Sequence, residues 1–227
     1  MITFTVLKEH LDKENRYVGP ENLANFAGHL EIGKELGIVV FGALKVAGHI
    51  WAKSGSGIKA GGGIKAGGGI KAGWGIEAGE GIEAGGGIEA GEGIKAGEGI
   101  EAGEGIEAGE GIEAGWGIEA GSGIEAGGGI EAGGGIEAGG GIEAGEGIEA
   151  GEGIKAGWGI KAGWGIKAGL GITCKASLHS GLRIFAGLCL WRLPNPEESR
   201  VECKRLESGR VAFGELVEAE PKETAES

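Results

Sequence analysis

Glu101, Glu107, Glu113 and Glu119 stand six residues apart, inside a run where the same position is always Glu or Lys. Carboxylates at a fixed spacing can exchange protons, ligate a hard cation or attract a cationic partner. Proton exchange needs a matched base or nucleophile, and none is placed beside them. The four histidines, His10, His29, His49 and His179, are scattered, and no recognisable motif joins them to a carboxylate or a nucleophile. A defined cation site is not indicated either: the chain has one Asp, Asp12, outside the repeats, so Glu ladders would hold divalent ions loosely. No Gly-Lys-Ser/Thr follows the glycines, which excludes a phosphate loop. No catalytic, cofactor-binding or metal-ligating residue is predicted, and the chain is not expected to be an enzyme. What remains is attraction. Four tryptophans, Trp74, Trp116, Trp158 and Trp164, recur at another position of the same period. Exposed Trp is a common interaction anchor, although these rings could instead shield glycine-rich surface. The four glutamates and four tryptophans form the candidate interaction surface.

The element that positions them is a repeat. From Ile58 to Ile172 an isoleucine falls at every sixth residue, twenty in succession, in the unit Gly-Ile-x-Ala-Gly-y. Position x is Lys or Glu up to Lys167, and y is mostly Gly, Glu or Trp. Such self-similarity marks stacked architectures. In a strand Ile-x-Ala, the first and third side chains share one side and the second takes the other. Ile and Ala therefore face inward and x faces water. Unbroken alternation would also bury y, where Glu80, Glu92, Glu98, Glu104, Glu110, Glu146 and Glu152 stand. A buried unpaired carboxylate is very costly, so the alternation must break at Gly-y-Gly. Glycine there is expected to take the φ > 0 of a tight corner. Each hexad is one side and one corner of a coil. A disordered Gly/Glu tract is the main competing reading, but disorder would not keep Ile at every sixth place. A polyglycine-II bundle would have to reverse direction, and the run has no Pro or turn segment for that. Collagen is excluded because the repeats lack Pro and Gly is not at every third residue.

The hexads resemble those of the hexapeptide-repeat parallel β-helix proteins, although the aliphatic and small positions are exchanged. That resemblance implies an all-β, single-stranded parallel β-helix (a β-solenoid) with three hexads per coil; a flattened coil of two hexads is the alternative. It does not carry over the acyltransferase activity of some members, because the regular body holds neither a His nor a protruding loop. Ice-binding solenoids rely on Thr ranks, and the repeats end at a lone Thr173.

The period continues outward. Ile32, Ile38, Leu44 and Ile50 keep the spacing upstream, with Val40, Val46 and Ala52 as inward partners, and Lys53-Ser54-Gly55-Ser56 supplies a two-residue insertion. Downstream, Leu178, Ile184 and Leu190 continue the count, with Cys174, Ser180 and Ala186 in the small inward place. Trp51, Phe185 and Trp191 fall at outward positions, where flanking segments would cover them. Open solenoid ends expose sheet edges, so caps are expected. Residues 1–28 are read as an N-terminal cap, with a strand at its start and a short helix from Gly19-Pro20-Glu21 to Phe26. The solenoid is assigned to 29–192, with perfect hexads over 57–172. Residues 193–218 are read as a hairpin cap turning at Glu207-Ser208-Gly209, and 219–227 as an acidic tail.

Net charge is −13, yet residues 77–152 alone hold nineteen Glu and one basic residue, Lys95, for a net of −18. Lys59, Lys65 and Lys71 precede this zone and Lys155, Lys161 and Lys167 follow it. The solenoid turns this pattern into an acidic belt between basic collars. A simple solubilising role for these charges competes with any functional one. The belt disfavours direct nucleic-acid binding, which needs a basic surface. No apolar stretch is long enough to span a bilayer, and the first residues lack the features of a secretion signal. Three unpatterned cysteines suggest reduced, structural thiols. A cytoplasmic protein is expected, in the host-cell cytoplasm if virus-encoded. Three roles are compatible: a non-enzymatic interaction protein with a protein partner, an inhibitor imitating DNA as acidic pentapeptide-repeat helices do, and a filament joined through the solenoid ends, where the chain resembles the bactofilins.

Overall fold

The computed structural model describes residues 1–190 and 192–219. Trp191 and the tail from residue 220 onward lie outside the described residues. From Ile64 onward each perfect hexad forms a three-residue strand, Ile-x-Ala, with its outer residues buried and x at the surface. Each strand pairs in parallel with the one eighteen residues further on: Ile82 with Ile100, Glu83 with Glu101, Ala84 with Ala102. Eighteen residues are three hexads, so the coil is three-sided, and the two-hexad alternative is excluded. The molecule is an all-β parallel β-solenoid.

Three faces result. The first stacks Ile50–Ala52, Ile70–Ala72, Ile88–Ala90 and their successors to Ile160–Ala162. The second stacks Ser56–Ala60, Ile76–Ala78, Ile94–Ala96 and onward to Ile166–Ala168. The third runs from Leu44–Val46 through Ile64–Ala66, Ile82–Ala84 and Ile100–Ala102 to Ile172–Cys174. The interior is one continuous dry column, in which every Ile of the run is at most 1% exposed and its Ala at most 3%. Burying an Ile contributes roughly 1.5–3 kcal/mol, repeated at each side of each coil, against the high entropic cost of ordering glycine.

The corner residue y points outward, but glycine makes the corner for a different reason from the one expected. None of the repeat glycines has positive φ; among the described glycines that conformation is confined to Gly37, Gly55, Gly187, Gly209 and Gly214. The constraint is space. A Cβ on Gly115 would lie 2.1 Å from the carbonyl oxygen of Gly97 in the preceding coil. The ladder of backbone hydrogen bonds runs on through the corner: Gly115 N–H donates to Ala96 and Trp116 N–H to Glu98. Coils therefore stay at strand spacing, about 4.8 Å, where a side chain at this position has no room.

The ends depart from the simple count. Upstream, Val39 and Phe41 point inward in register with Ile58 and Ala60, while Ile38 is exposed and Val40 half-buried. The corner after Ile32 is longer than a hexad allows, with Glu35 and Gly37 both at positive φ, and this shifts the alternation by one. Leu30 takes the aliphatic place and Ile32 the small one. The insertion at Lys53–Ser56 is present, and its Ser56 is buried. The Ser56 hydroxyl donates to Gly33 O at 2.7 Å and accepts from Leu36 N–H at 3.0 Å.

No helix opens at Pro20; one 3-10 turn, Leu23–Asn25, follows Asn22, whose side chain accepts from Ala24 N–H. Residues 1–28 wrap as an irregular first coil. Thr3–Val6 pairs with His29–Ile32, Arg16 bridges Val40 and Phe26 bridges Val46, all in parallel.

At the other end, Ser177–Ala186 is one bent strand spanning the first and second faces. Leu190 is 95% exposed, so the inward count stops before it. Gly187 and Leu188 still donate to Leu170 O and Ala168 O of the preceding coil, and the third face is resumed at Arg200–Cys203, with Val201 above Ile172. The expected hairpin does not form. Arg205–Phe213 is a single strand parallel to Ser177–Ala186, bent at Gly209, and Glu215–Glu218 is parallel to Arg200–Cys203. The alternating pattern alone cannot tell a hairpin from two sides of a coil. No helix among the described residues is long and apolar enough to cross a membrane.

Candidate functional site

With the register set, the outward residues fall into columns. The first face carries Trp51, Lys71, Glu89, Glu107, Glu125, Glu143, Lys161 and His179 in order. The third carries Lys45, Lys65, Glu83, Glu101, Glu119, Glu137, Lys155 and Thr173. On the second, Lys95 interrupts the acids between Glu77 and Glu113.

The basic collars are not free positive charge. Each lysine reaches along its column to the nearest carboxylate. Lys65 pairs with Glu83, Lys71 with Glu89, Lys161 with Glu143 and Lys167 with Glu149. Lys59 lies 2.7 Å from Glu77 and Lys155 2.5 Å from Glu137. Lys95 donates to both oxygens of Glu113, at 2.6 and 2.7 Å, and this bond raises its pKa; Glu143 does the same for Lys161. These pairs are exposed and individually contribute little. Their effect is on the pattern: they neutralise the ends of each acidic column and leave its middle bare.

The four predicted glutamates are distributed over all three faces. Glu101 and Glu119 are consecutive rungs of the third face. Glu107 lies on the first, in register with Glu125. Glu113, on the second, is the one held by a lysine. Glu101, Glu119 and Glu107 form no ion pair among the described residues. Stacked like charges are mildly destabilising, so these rungs persist because the column of Ile beneath them sets the spacing.

The predicted tryptophans stand on the edges and are exposed: Trp74 39%, Trp116 65%, Trp158 70% and Trp164 58%. They do not all share one edge. Trp74 and Trp164 follow strands of the first face, Trp116 one of the second, and Trp158 one of the third. Trp51, outward on the first face, is 45% exposed, with Lys53 Nζ 5.7 Å from its ring centre, and no segment covers it. Phe185 is half-buried, in register with Lys167 and Phe213. An open trough runs along each face, floored by the glycine that precedes each Ile and walled by the outward column and the adjacent edge.

His10, His29 and His49 lie in the opening windings and His179 in the strand Ser177–Ala186. The rings of His29 and His49 lie with centres 4.0 Å apart and planes tilted by 31°, and burial followed by the charge of His49 holds the His29 pKa below its usual value. His179 Nδ1 lies 2.9 Å from the Ser208 hydroxyl. That hydroxyl is also 3.0 Å from Ser180 O, a link between successive windings. This contact is new relative to the sequence reading, because the hairpin assignment placed Ser208 in a turn. Cys174 and Cys203 occupy the inward place on successive rungs of the third face. Burial pushes their thiols up to about 12 and about 11, so both stay protonated near neutral pH. No group of three or more metal-ligating side chains converges among the described residues. Comparison with protein-family models, curated proteins and solved structures gave no match.

Proposed function

We propose that the chain is a non-enzymatic interaction protein presenting a rigid acidic rod to a protein partner through a basic surface on that partner. The observation that carries this reading is the pair of carboxylate ladders whose ends are neutralised by lysine and whose middle rungs are not. Electrostatic complementarity of this kind favours fast, salt-sensitive association. Affinity capture at low and high salt tests it, comparing the native chain with the Glu101→Gln, Glu107→Gln, Glu113→Gln, Glu119→Gln variant. Partners retained at low salt, released at high salt and lost by the variant are expected. Capture indifferent to both salt and substitution overturns the reading. So does substrate turnover abolished by changing one polar residue.

A second reading, an inhibitor imitating DNA, is favoured by charge density. Residues 77–152 cover about four coils, roughly 20 Å of axis at strand spacing. Their net −18 falls to −12 when the six collar lysines paired to them are counted, about one charge per 1.7 Å, close to the one per about 1.7 Å of duplex DNA. Under this reading the captured partners are nucleic-acid-binding proteins, and added duplex DNA displaces them. Partners that remain bound in excess DNA exclude it.

A further inference from the structure

The three faces are not equivalent, and the difference names a docking surface. On the second face Lys95 sits within the acidic column and ties up Glu113. On the first face the bare rungs Glu107 and Glu125 adjoin an edge whose nearby residues are Glu104, Ser122 and Gly140. On the third face the bare rungs Glu101 and Glu119 adjoin an edge that carries Trp116. Trp116 belongs to the coil of Glu119, two residues ahead of the strand Ile118–Ala120, and lines the same trough as both glutamates. The next rung on its edge is Gly134, whose N–H donates to Trp116 O at 2.9 Å and which has no side chain to lie over the indole. The preceding rung is Glu98. A largely exposed indole thus stands at mid-height beside two unneutralised carboxylates on adjacent rungs, at a strand spacing of about 4.8 Å, with Lys65 and Lys155 engaged towards the column ends.

We infer that the partner docks on the third face, and that it does so through arginine. This rests on the interaction reading above and adds the face and the side chain. A planar guanidinium can stack on an indole while its N–H groups are shared by carboxylates beside the ring. An ammonium is a compact, strongly hydrated charge and gains less from the ring. The occupant is therefore an extended arginine-bearing segment of a partner protein, lying along the trough.

The test uses the full chain with two probes of equal charge, a nona-arginine and a nona-lysine peptide, titrated at low ionic strength. The native chain should bind nona-arginine more tightly than nona-lysine. Trp116→Ala should reduce that preference about three-fold, the worth of an exposed cation–π contact. It should barely change binding of nona-lysine. Glu101→Gln with Glu119→Gln should weaken nona-arginine several-fold more than Glu107→Gln with Glu125→Gln, an equal charge change on the first face. Circular dichroism of each variant checks that the solenoid is intact, and Trp158→Ala serves as a second exposed-edge control. If neither peptide binds, the acidic-surface reading itself falls. If both bind, but Trp116→Ala and Trp158→Ala behave alike or the two pairs of Gln variants lose equal affinity, only the assignment to the third face is overturned.

Discussion

Between Ile58 and Ile172 every coil is eighteen residues, every corner glycine has ordinary φ, and every Ile is sealed. Beyond Ser177 the same three faces continue, but the corners at Gly187, Gly209 and Gly214 take φ of +86°, +92° and +105°. Pairing between Ser177–Ala186 and Arg205–Phe213 shifts register three times, and Leu216 is 38% exposed. Glycine thus serves two separate ends. In the body it makes room for a neighbouring carbonyl; in the last windings it supplies a backbone conformation other residues rarely adopt. A body built on close approach repeats without limit, whereas windings built on bends tolerate unequal lengths.

This contrast can be broken most forcefully in the core. Ile118→Ala should cost about 3 kcal/mol, the usual range for emptying a sealed aliphatic site. Leu216→Ala, in the last winding, should cost under about 1 kcal/mol because little contact is lost. Urea unfolding of both variants gives the two values; equal losses would mean that the last winding is packed like the body. Next, Gly115→Ala should cost about 2 kcal/mol, since its Cβ must push a backbone carbonyl away. Gly117→Ala, where the nearest atom would be Gly135 O at 3.3 Å, should be within about 0.5 kcal/mol of native. If thermal midpoints fall equally for both, close approach is not what glycine provides. Ser56→Ala tests the inserted corner. It removes the partner of a buried N–H and a buried carbonyl and should cost about 1–2 kcal/mol. The smallest effect belongs to the surface: Glu119→Lys should stabilise by about 0.3 kcal/mol, a gain that fades in high salt. A salt-independent gain would point to side-chain packing instead.

Much of this was legible in the chain. An Ile at each sixth residue requires a coil, and the charge at x requires that it face water, so the body follows from periodicity and the cost of burying carboxylates. Once eighteen residues make a coil, the lysine–glutamate pairs can be read off as residues eighteen apart. The ends resist such reading because an odd number of extra residues in a corner inverts inside and outside, as the three added between Leu30 and Val39 do at Ile38 and Val39. The stretch after Ala186 is similar: Leu190 keeps the spacing of the column without being in it. Glu207-Ser208-Gly209 carries the residues of a hairpin turn, and only the location of Arg200–Cys203 on the third face makes it a bend in a coil. For the surface, which residues are outward was readable. Which of them share a face depended on the coil length, and the pairing of Trp116 with Glu101 and Glu119 emerges only when edges and faces are laid out together.

The inner wall is the same at every level of the body, so the rod has a translational freedom that few folds possess. Loss or gain of eighteen residues shortens or lengthens it and leaves each remaining side chain above a like neighbour. Loss of six is equally acceptable to the interior, yet it rotates everything downstream by one side and hands each column's charges to another. Length and surface pattern can therefore be edited independently of the core, in steps whose size decides which of the two is changed.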